Sequence, residues 1–218
     1  MAKQARAVAT REAIVQGAGV VFGEAGYATA TLADVITHAG VTQGALYFHF
    51  DSKLDLAQEV IRQQHQTSMD AAAEFARTEN GAIESLVLLS GALARQITTD
   101  PVVRGGLRLT TESAHLFPDH ARGPYVDWIA STEHFLRLAA AEGSVTPSLN
   151  FPAMARFVIS TFTGVQVVSQ SLTQWRDLEE HLEQMWLLQL PLFLVNPSPS
   201  EVARLAHLVR TVKAPRPA

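Results

Sequence analysis

The stretch from Thr31 to Lys53, TLADVITHAGVTQGALYFHFDSK, constrains this chain more than any other. Thr31 suits the N-cap of a short helix whose Leu32, Val35 and Ile36 share one apolar face. Ala39-Gly40-Val41 follows as a tight turn, in which glycine supplies the positive φ that such a corner needs. Thr42 suits a second N-cap, and Leu46 and Phe50 stand four apart on the inner face of the next helix. Gln43, Gly44, Tyr47 and Phe48 are left on its outer face. A short helix with a polar and aromatic outer face after a compact turn predicts a helix-turn-helix that enters the DNA major groove.

The remaining periodicities are helical. A basic arm over residues 1–7 leads into a helix from Val8 to Ala25, with Ile14, Ala18, Val21 and Phe22 as its apolar stripe. Gly26 ends it, and Tyr27 packs beneath the helix-turn-helix. Ser52, with Asp55 three residues on, starts a fourth helix that runs toward Phe75 and serves as a lever between head and body. Long apolar helices then follow over Ala82–Thr99, Pro101 to Ala114, Tyr125–Glu142, Phe151–Thr173 and Asp177–Val195. Residues 115–124, with two prolines and a glycine, read as a loop, and a last helix covers Ser200–Val212. The expected fold is all-α: a three-helix head over residues 1–52 on a larger helical ligand-binding and dimerisation domain over 53–218.

Composition narrows the function. Hydrophobic residues make up 47% of the 218, enough for a sizeable core. The absence of cysteine excludes a disulfide framework and thiolate chemistry, and with no signal-peptide pattern the chain reads as cytoplasmic. The most apolar run, Met185 to Val195, is too short to span a bilayer and contains Pro191, so no membrane partner is expected. Lys3, Arg6, Arg11 and Lys53 balance Glu12, Glu24, Asp34 and Asp51 in the head, so the formal net charge of −4 belongs to the body. DNA affinity must then rely on placed contacts and dimerisation rather than on a broad basic patch. No G-x-S-x-G, P-loop, H-E-x-x-H or G-x-G-x-x-G is present, which argues against an enzyme and against a cofactor. His115 and His120, with Asp119 between them, read as solvated loop residues rather than a metal site.

On the reading helix, Thr42 offers a hydroxyl and neighbouring N–H groups to phosphate, and the Gln43 amide matches adenine N6 and N7. Gly44 and Ala45 let the backbone approach the groove. Tyr47 and His49 can donate to phosphate oxygens, and Lys53 brings a charge. Thr31 and Phe48 complete the candidate set.

The run GVTQGALYFHFDSKLDL resembles the helix-turn-helix of the tetracycline-repressor (TetR) family of bacterial transcription regulators. FHF and the following SKLDL resemble its γ-butyrolactone receptor branch. The resemblance is strong from about Arg6 to Ala57, and it assigns the DNA-contacting roles above to the same positions. Gln43 departs from it, since lysine is common there. It further implies a homodimer through the helices over 151–173 and 177–195, bound to a palindromic operator in double-stranded DNA. Trp128 matches a tryptophan that lines a ligand pocket in that branch. Thr161 and Thr163 interrupt the apolar FVISTFTGV, and each hydroxyl must find either the i−4 carbonyl or a ligand. Gln64, Leu89 and Leu109 are the further pocket candidates. The implied function is a repressor released by a small hydrophobic signal of γ-butyrolactone, butenolide or furan type, controlling secondary-metabolite or antibiotic genes. A related repressor answering an antibiotic or biosynthetic intermediate, and a helical small-molecule carrier without DNA binding, are the alternatives.

Overall fold

The computed structural model describes residues 2–112 and 114–212, and Met1 and the Lys3 side chain lie outside the described residues. Among the described residues there are ten α-helices: α1 Ala2–Thr29, α2 Leu32–Ala39, α3 Gln43–His49, α4 Lys53–Phe75, α5 Ala82–Thr99, α6 Pro101–Glu112, α7 Pro118–Ala141, α8 Phe151–Thr173, α9 Leu178–Gln189 and α10 Pro199–His207. Among the described residues there is no strand, only an isolated antiparallel bridge between Val145 and Leu194.

Several boundaries differ from those the sequence suggests, and the last helix, expected over Ser200–Val212, spans Pro199–His207 before a 3-10 turn over Leu208–Arg210. Residues 2–7 do not form an arm but the first turns of α1. The expected loop at 115–124 is a 3-10 turn over Ala114–Leu116 followed by the start of α7. Pro118 sits at the first helical position, where the missing N–H costs nothing, and Phe117 is buried beneath it. Pro124 is accommodated inside the same helix. The helix expected to reach Val195 stops at Gln189, and Leu190–Leu192 continues as a 3-10 turn around Pro191.

The chain divides into two compact units, Met1–Ser68 with Thr99–Pro124, and Met69–Thr98 with Tyr125–Ala218. This packing division is not the division by role at residue 52. α6 lies far along the chain yet packs along α1, so it joins the first unit. The core of that unit is Ile14, Val15, Ala18, Val21 and Phe22 of α1, Val35 of α2, Leu46 and Phe50 at α3, Leu56, Val60 and Ile61 of α4, Val102 and Leu109 of α6, and Phe117. α1 and α6 cross with almost no side chain between them: a Cβ on Gly105 would stand 2.6 Å from the Gly19 carbonyl oxygen.

The second unit buries Ile83, Leu86, Val87 and Ile97 of α5, Phe135 and Leu136 of α7, and Leu178, Leu182 and Trp186 of α9. The Trp186 indole N–H is satisfied inside that core by donating to Ser90 Oγ at 2.8 Å. α8 and α9 meet at a turn in which Gln174 and Trp175 both have positive φ. Asp177 holds the turn by accepting from Ser169 at 2.6 Å and Thr173 at 2.7 Å. Trp175 closes it by donating to the Gln166 carbonyl at 3.1 Å.

Candidate DNA-reading head and ligand-facing residues

Both caps of the helix-turn-helix form as the residue types dictate. Thr31 and Asp34 make a reciprocal capping box, the Asp34 N–H donating to Thr31 Oγ1 at 3.2 Å and the Thr31 N–H to Asp34 Oδ2 at 3.2 Å. Gly40 closes α2 in the left-handed region at φ 62°. Thr42 caps α3 by accepting from the Ala45 N–H at 3.2 Å. Thr31 and Thr42 are exposed but already engaged in these caps.

α3 is two-faced in the way expected. Leu46 and Phe50 are buried at 0% and 2% exposure, whereas Tyr47 and Phe48 are 49% and 79% exposed. Gln43 and Gly44 are exposed beside them, and Ala45 is half-buried. A Cβ at Gly44 would meet nothing within 4 Å, so this face is open. His49 is half-buried and meets Phe48 edge-on at 5.0 Å between ring centroids. Apart from that contact, most of the Phe48 ring is open to solvent.

Lys53 is placed differently from expectation. Its ammonium donates inward, to the carbonyls of Tyr27 at 2.8 Å and Ala30 at 2.9 Å, and lies 4.4 Å from the centroid of the Tyr27 ring. Two of its three N–H groups therefore fasten the end of α1 rather than facing outward. Residues that the sequence reading missed hold the head from the other side. Glu59 on α4 accepts from Arg11 Nη1 at 3.0 Å, Arg62 Nη2 at 2.7 Å and Gln63 Nε2 at 2.9 Å. Arg11 also lies over the Phe50 ring at 5.1 Å, so one guanidinium links α1, the end of α3 and α4.

Of the ligand candidates, the structure brings Trp128 and Thr163 into one group through Tyr125. The Tyr125 and Trp128 rings meet edge-on at 5.1 Å, and the Tyr125 hydroxyl is hydrogen-bonded to Thr163. Burial pushes the Tyr125 phenol up against the smaller opposing effect of that bond. Tyr125 and Trp128 stand three apart on one helix face, a spacing that was the available signal for Tyr125. Thr161 is committed elsewhere. It back-bonds to the Phe157 carbonyl at 2.9 Å and accepts from Gln189 Nε2 at 2.6 Å, a strut between α8 and α9. Leu89 is buried on α5 of the second unit, while Gln64 and Leu109 belong to the first. Leu109 is a core residue there, and Gln64 lies with its stem against Gly106 and its buried Oε1 without a protein partner.

Comparison with known proteins places the fold and the head together. Residues 14–60 match the model of bacterial regulatory proteins of the tetR family, and residues 80–193 match the tetracyclin repressor-like C-terminal domain. The chain belongs to the TetR family. This TetR-family chain is 37% identical over 191 residues to the A-factor receptor protein of Streptomyces griseus, an alignment covering 88% of the chain. It spans 66% of that relative's length. A crystal structure of a gamma-butyrolactone receptor (ArpA-like protein) superposes with a TM-score of 0.81 at 29% identity, covering 95% of this chain and 100% of that one. CprB from Streptomyces coelicolor, in complex with its biological operator sequence, superposes with a TM-score of 0.79 at 28% identity, covering 94% and 98%.

The head of this TetR-family protein should be acid-sensitive through Glu59. Burial raises its carboxyl, but the hydrogen bonds from Arg62, Arg11 and Gln63 outweigh that and hold it at about 2, against an ordinary 4.5. A depressed carboxylate contributes stability above its unfolded value and loses it as pH falls through the folded one. The contribution is therefore complete above pH 4.5 and gone below about pH 2. Because both arginines are partly solvated, we expect about 1–2 kcal/mol rather than the full shift. Urea unfolding at pH 5 and pH 2.5 should differ by most of that amount more in the wild type than in Glu59→Gln. Equal pH dependence in the two would remove Glu59 as a source.

Proposed function

We propose that this chain is a homodimeric repressor that reads a palindromic operator and releases it when a small hydrophobic ligand enters its second unit. The observation that carries this is the division of α3, which buries Leu46 and Phe50 and leaves Gln43, Gly44, Tyr47 and Phe48 bare. The similarity to a receptor named for A-factor, to gamma-butyrolactone receptors and to an operator-bound relative supports the same reading. Gln43 would meet base edges, Tyr47 and His49 the flanking phosphates, and Phe48 the sugar or thymine methyl surface.

The dimer reading rests on α8 and α9. Phe157, Val167, Val168 and Leu172 on α8, and Leu187 and Leu188 on α9, are exposed, the last of α8 at 75% and the last of α9 at 76%. Among the described residues α8 is also the one helix long and apolar enough to cross a membrane. An outward apolar face shared with α9 is better accounted for by a second copy, which buries both helices at once.

For the ligand, the flat Tyr125–Trp128 pair offers an apolar wall and Thr163 a hydroxyl beside it, the usual composition of a small-molecule site. A γ-butyrolactone, butenolide or furan with an alkyl tail has the matching chemistry. Release requires the ligand to prefer the conformation that does not fit the operator. α4 contributes residues to both units and is the element through which that preference would reach the head.

A gel shift tests the reading, using DNA from upstream of the protein's own gene with and without an extract of the producing culture. A discrete shift dissolved by the extract supports it. No shift at low salt on any palindromic duplex would sink it. Within this reading, Trp128→Ala should raise the ligand concentration needed for release at least 10-fold while leaving operator affinity within about twofold. Release at the wild-type concentration would remove Trp128 from the pocket.

A further inference from the structure

α1 is broken near its end. Gly26 has φ 73° and ψ 170°, a non-helical conformation inside Ala2–Thr29. Such a break strands carbonyls whose helical partners have turned away. Two carbonyls on the near side are taken by one side chain: Arg108 Nη1 donates to those of Gly23 at 3.0 Å and Glu24 at 2.8 Å. Glu112 holds the guanidinium in place, accepting from Arg108 Nε at 2.7 Å. The guanidinium lies so close over the break that a Cβ at Gly26 would stand 3.4 Å from Arg108 Cζ. On the far side, Lys53 takes the carbonyls of Tyr27 and Ala30. The Tyr27 ring is seated between Phe22 at 6.0 Å and the edge of Phe117 at 5.1 Å. Thr31, the N-cap of α2, follows directly.

The break is thus a joint with a clasp on each side. α6 grips the part before it, and the first residue of α4 grips the part after it. The chain reaches α2 and α3 from the far side through Ala30 and Thr31, and both helices also pack on α1 before the break, where Val35 and Leu46 share its core. α6 lies directly against α1, Gly19 and Gly105 bringing the two backbones into contact.

We propose that Arg108 is a positioning residue for operator reading, fixing from α6 the angle at which α2 and α3 leave α1. It does not touch DNA. Its bonds set which separation of half-sites the two heads of a dimer match, since a rigid joint fits one separation and a loose joint must be ordered anew on each binding. The proposal rests on the repressor reading above.

The test uses the full-length protein and a duplex recovered by the wild type from a random-sequence DNA pool. Arg108→Met keeps the unbranched apolar stem and removes every donor. Its affinity for the recovered duplex should fall about 10-fold. Its preference among duplexes with half-sites moved apart or together by one and two base pairs should flatten to within about threefold. The slope of log affinity against log salt concentration should stay unchanged. A slope reduced by about one would mean a direct phosphate contact and would overturn the proposal. An unaltered preference for spacing, whatever the affinity, would overturn it too, because a merely structural residue lowers binding to all spacings alike. Glu112→Gln loosens the guanidinium without removing it and should shift the spacing preference in the same direction by a smaller amount. That second variant decides the question should Arg108→Met fold poorly. If the wild type recovers no duplex, the repressor reading and this proposal fall together; if it does and both variants keep its spacing profile, only this proposal falls.

Discussion

Tyr47→Ala should cost about 30-fold or more in operator affinity and almost nothing in stability. The ring is 49% exposed on the outer face of α3, so its removal opens no enclosed cavity. Loss of a side chain that contacts DNA costs about 1–3 kcal/mol per site. A dimer carries the substitution twice, so even the lower end of that range is doubled. Fluorescence anisotropy with a selected palindromic duplex measures the affinity, and size-exclusion chromatography checks that the dimer persists. Wild-type affinity would take Tyr47 off the reading face and leave Gln43 and Phe48 to carry it.

The opposite signature belongs to Gly105→Val, which should lower stability strongly without touching any residue of the reading face. Two branches would enter a space where a single Cβ already comes within 2.6 Å of the Gly19 carbonyl oxygen. The obstacle is backbone, which cannot rotate aside as a side chain does. Overpacking typically costs about 1–3 kcal/mol, and a rigid neighbour puts this site at about 3. For a chain of this size that corresponds to a fall in Tm of about 6–12 °C. Gly44→Ala is the internal control. It meets nothing within 4 Å and gains helix propensity, so its Tm should stay level or rise slightly. A Gly105→Val protein melting within about 2 °C of wild type would mean that α1 and α6 separate freely, against the crossing described above.

The two results separate what a sequence displays from what it conceals. The helix-turn-helix was legible because its determinants are local: Thr31 and Asp34 are three apart, Thr42 caps its own helix, and Gly40 answers a turn between neighbours. The long helices were legible from period alone, and α5 and α8 have the predicted ends. The crossing of Gly19 with Gly105 and the reach of Arg108 to Gly23 are not legible in that way, because more than eighty residues separate the partners. Lys53 shows the same limit in a subtler form. A lysine at the start of a helix near a DNA-reading element suggests phosphate, and nothing in its neighbours reveals that two carbonyls from a broken α1 will claim it. Pro118 misled for the reverse reason, since proline signals a loop on most counts and a helix start on one. Tyr125 was legible in principle, since the expected helix already put it three residues before Trp128 on one face; its bond to Thr163, thirty-eight residues on, was not.

The placement of tryptophan has an optical consequence. All three, Trp128, Trp175 and Trp186, fall in the second compact unit, and the first has Tyr27 and Tyr47 as its only described tyrosines and no tryptophan. Emission excited at the red edge of the aromatic band therefore watches one half of the molecule in silence about the other. Trp186, donating to Ser90 in an apolar core, should emit to the blue of Trp128, which is half exposed beside a phenol. A melt followed by tryptophan emission and one followed by helical circular dichroism would coincide if the halves unfold together. They would part if the half that reads DNA lets go first.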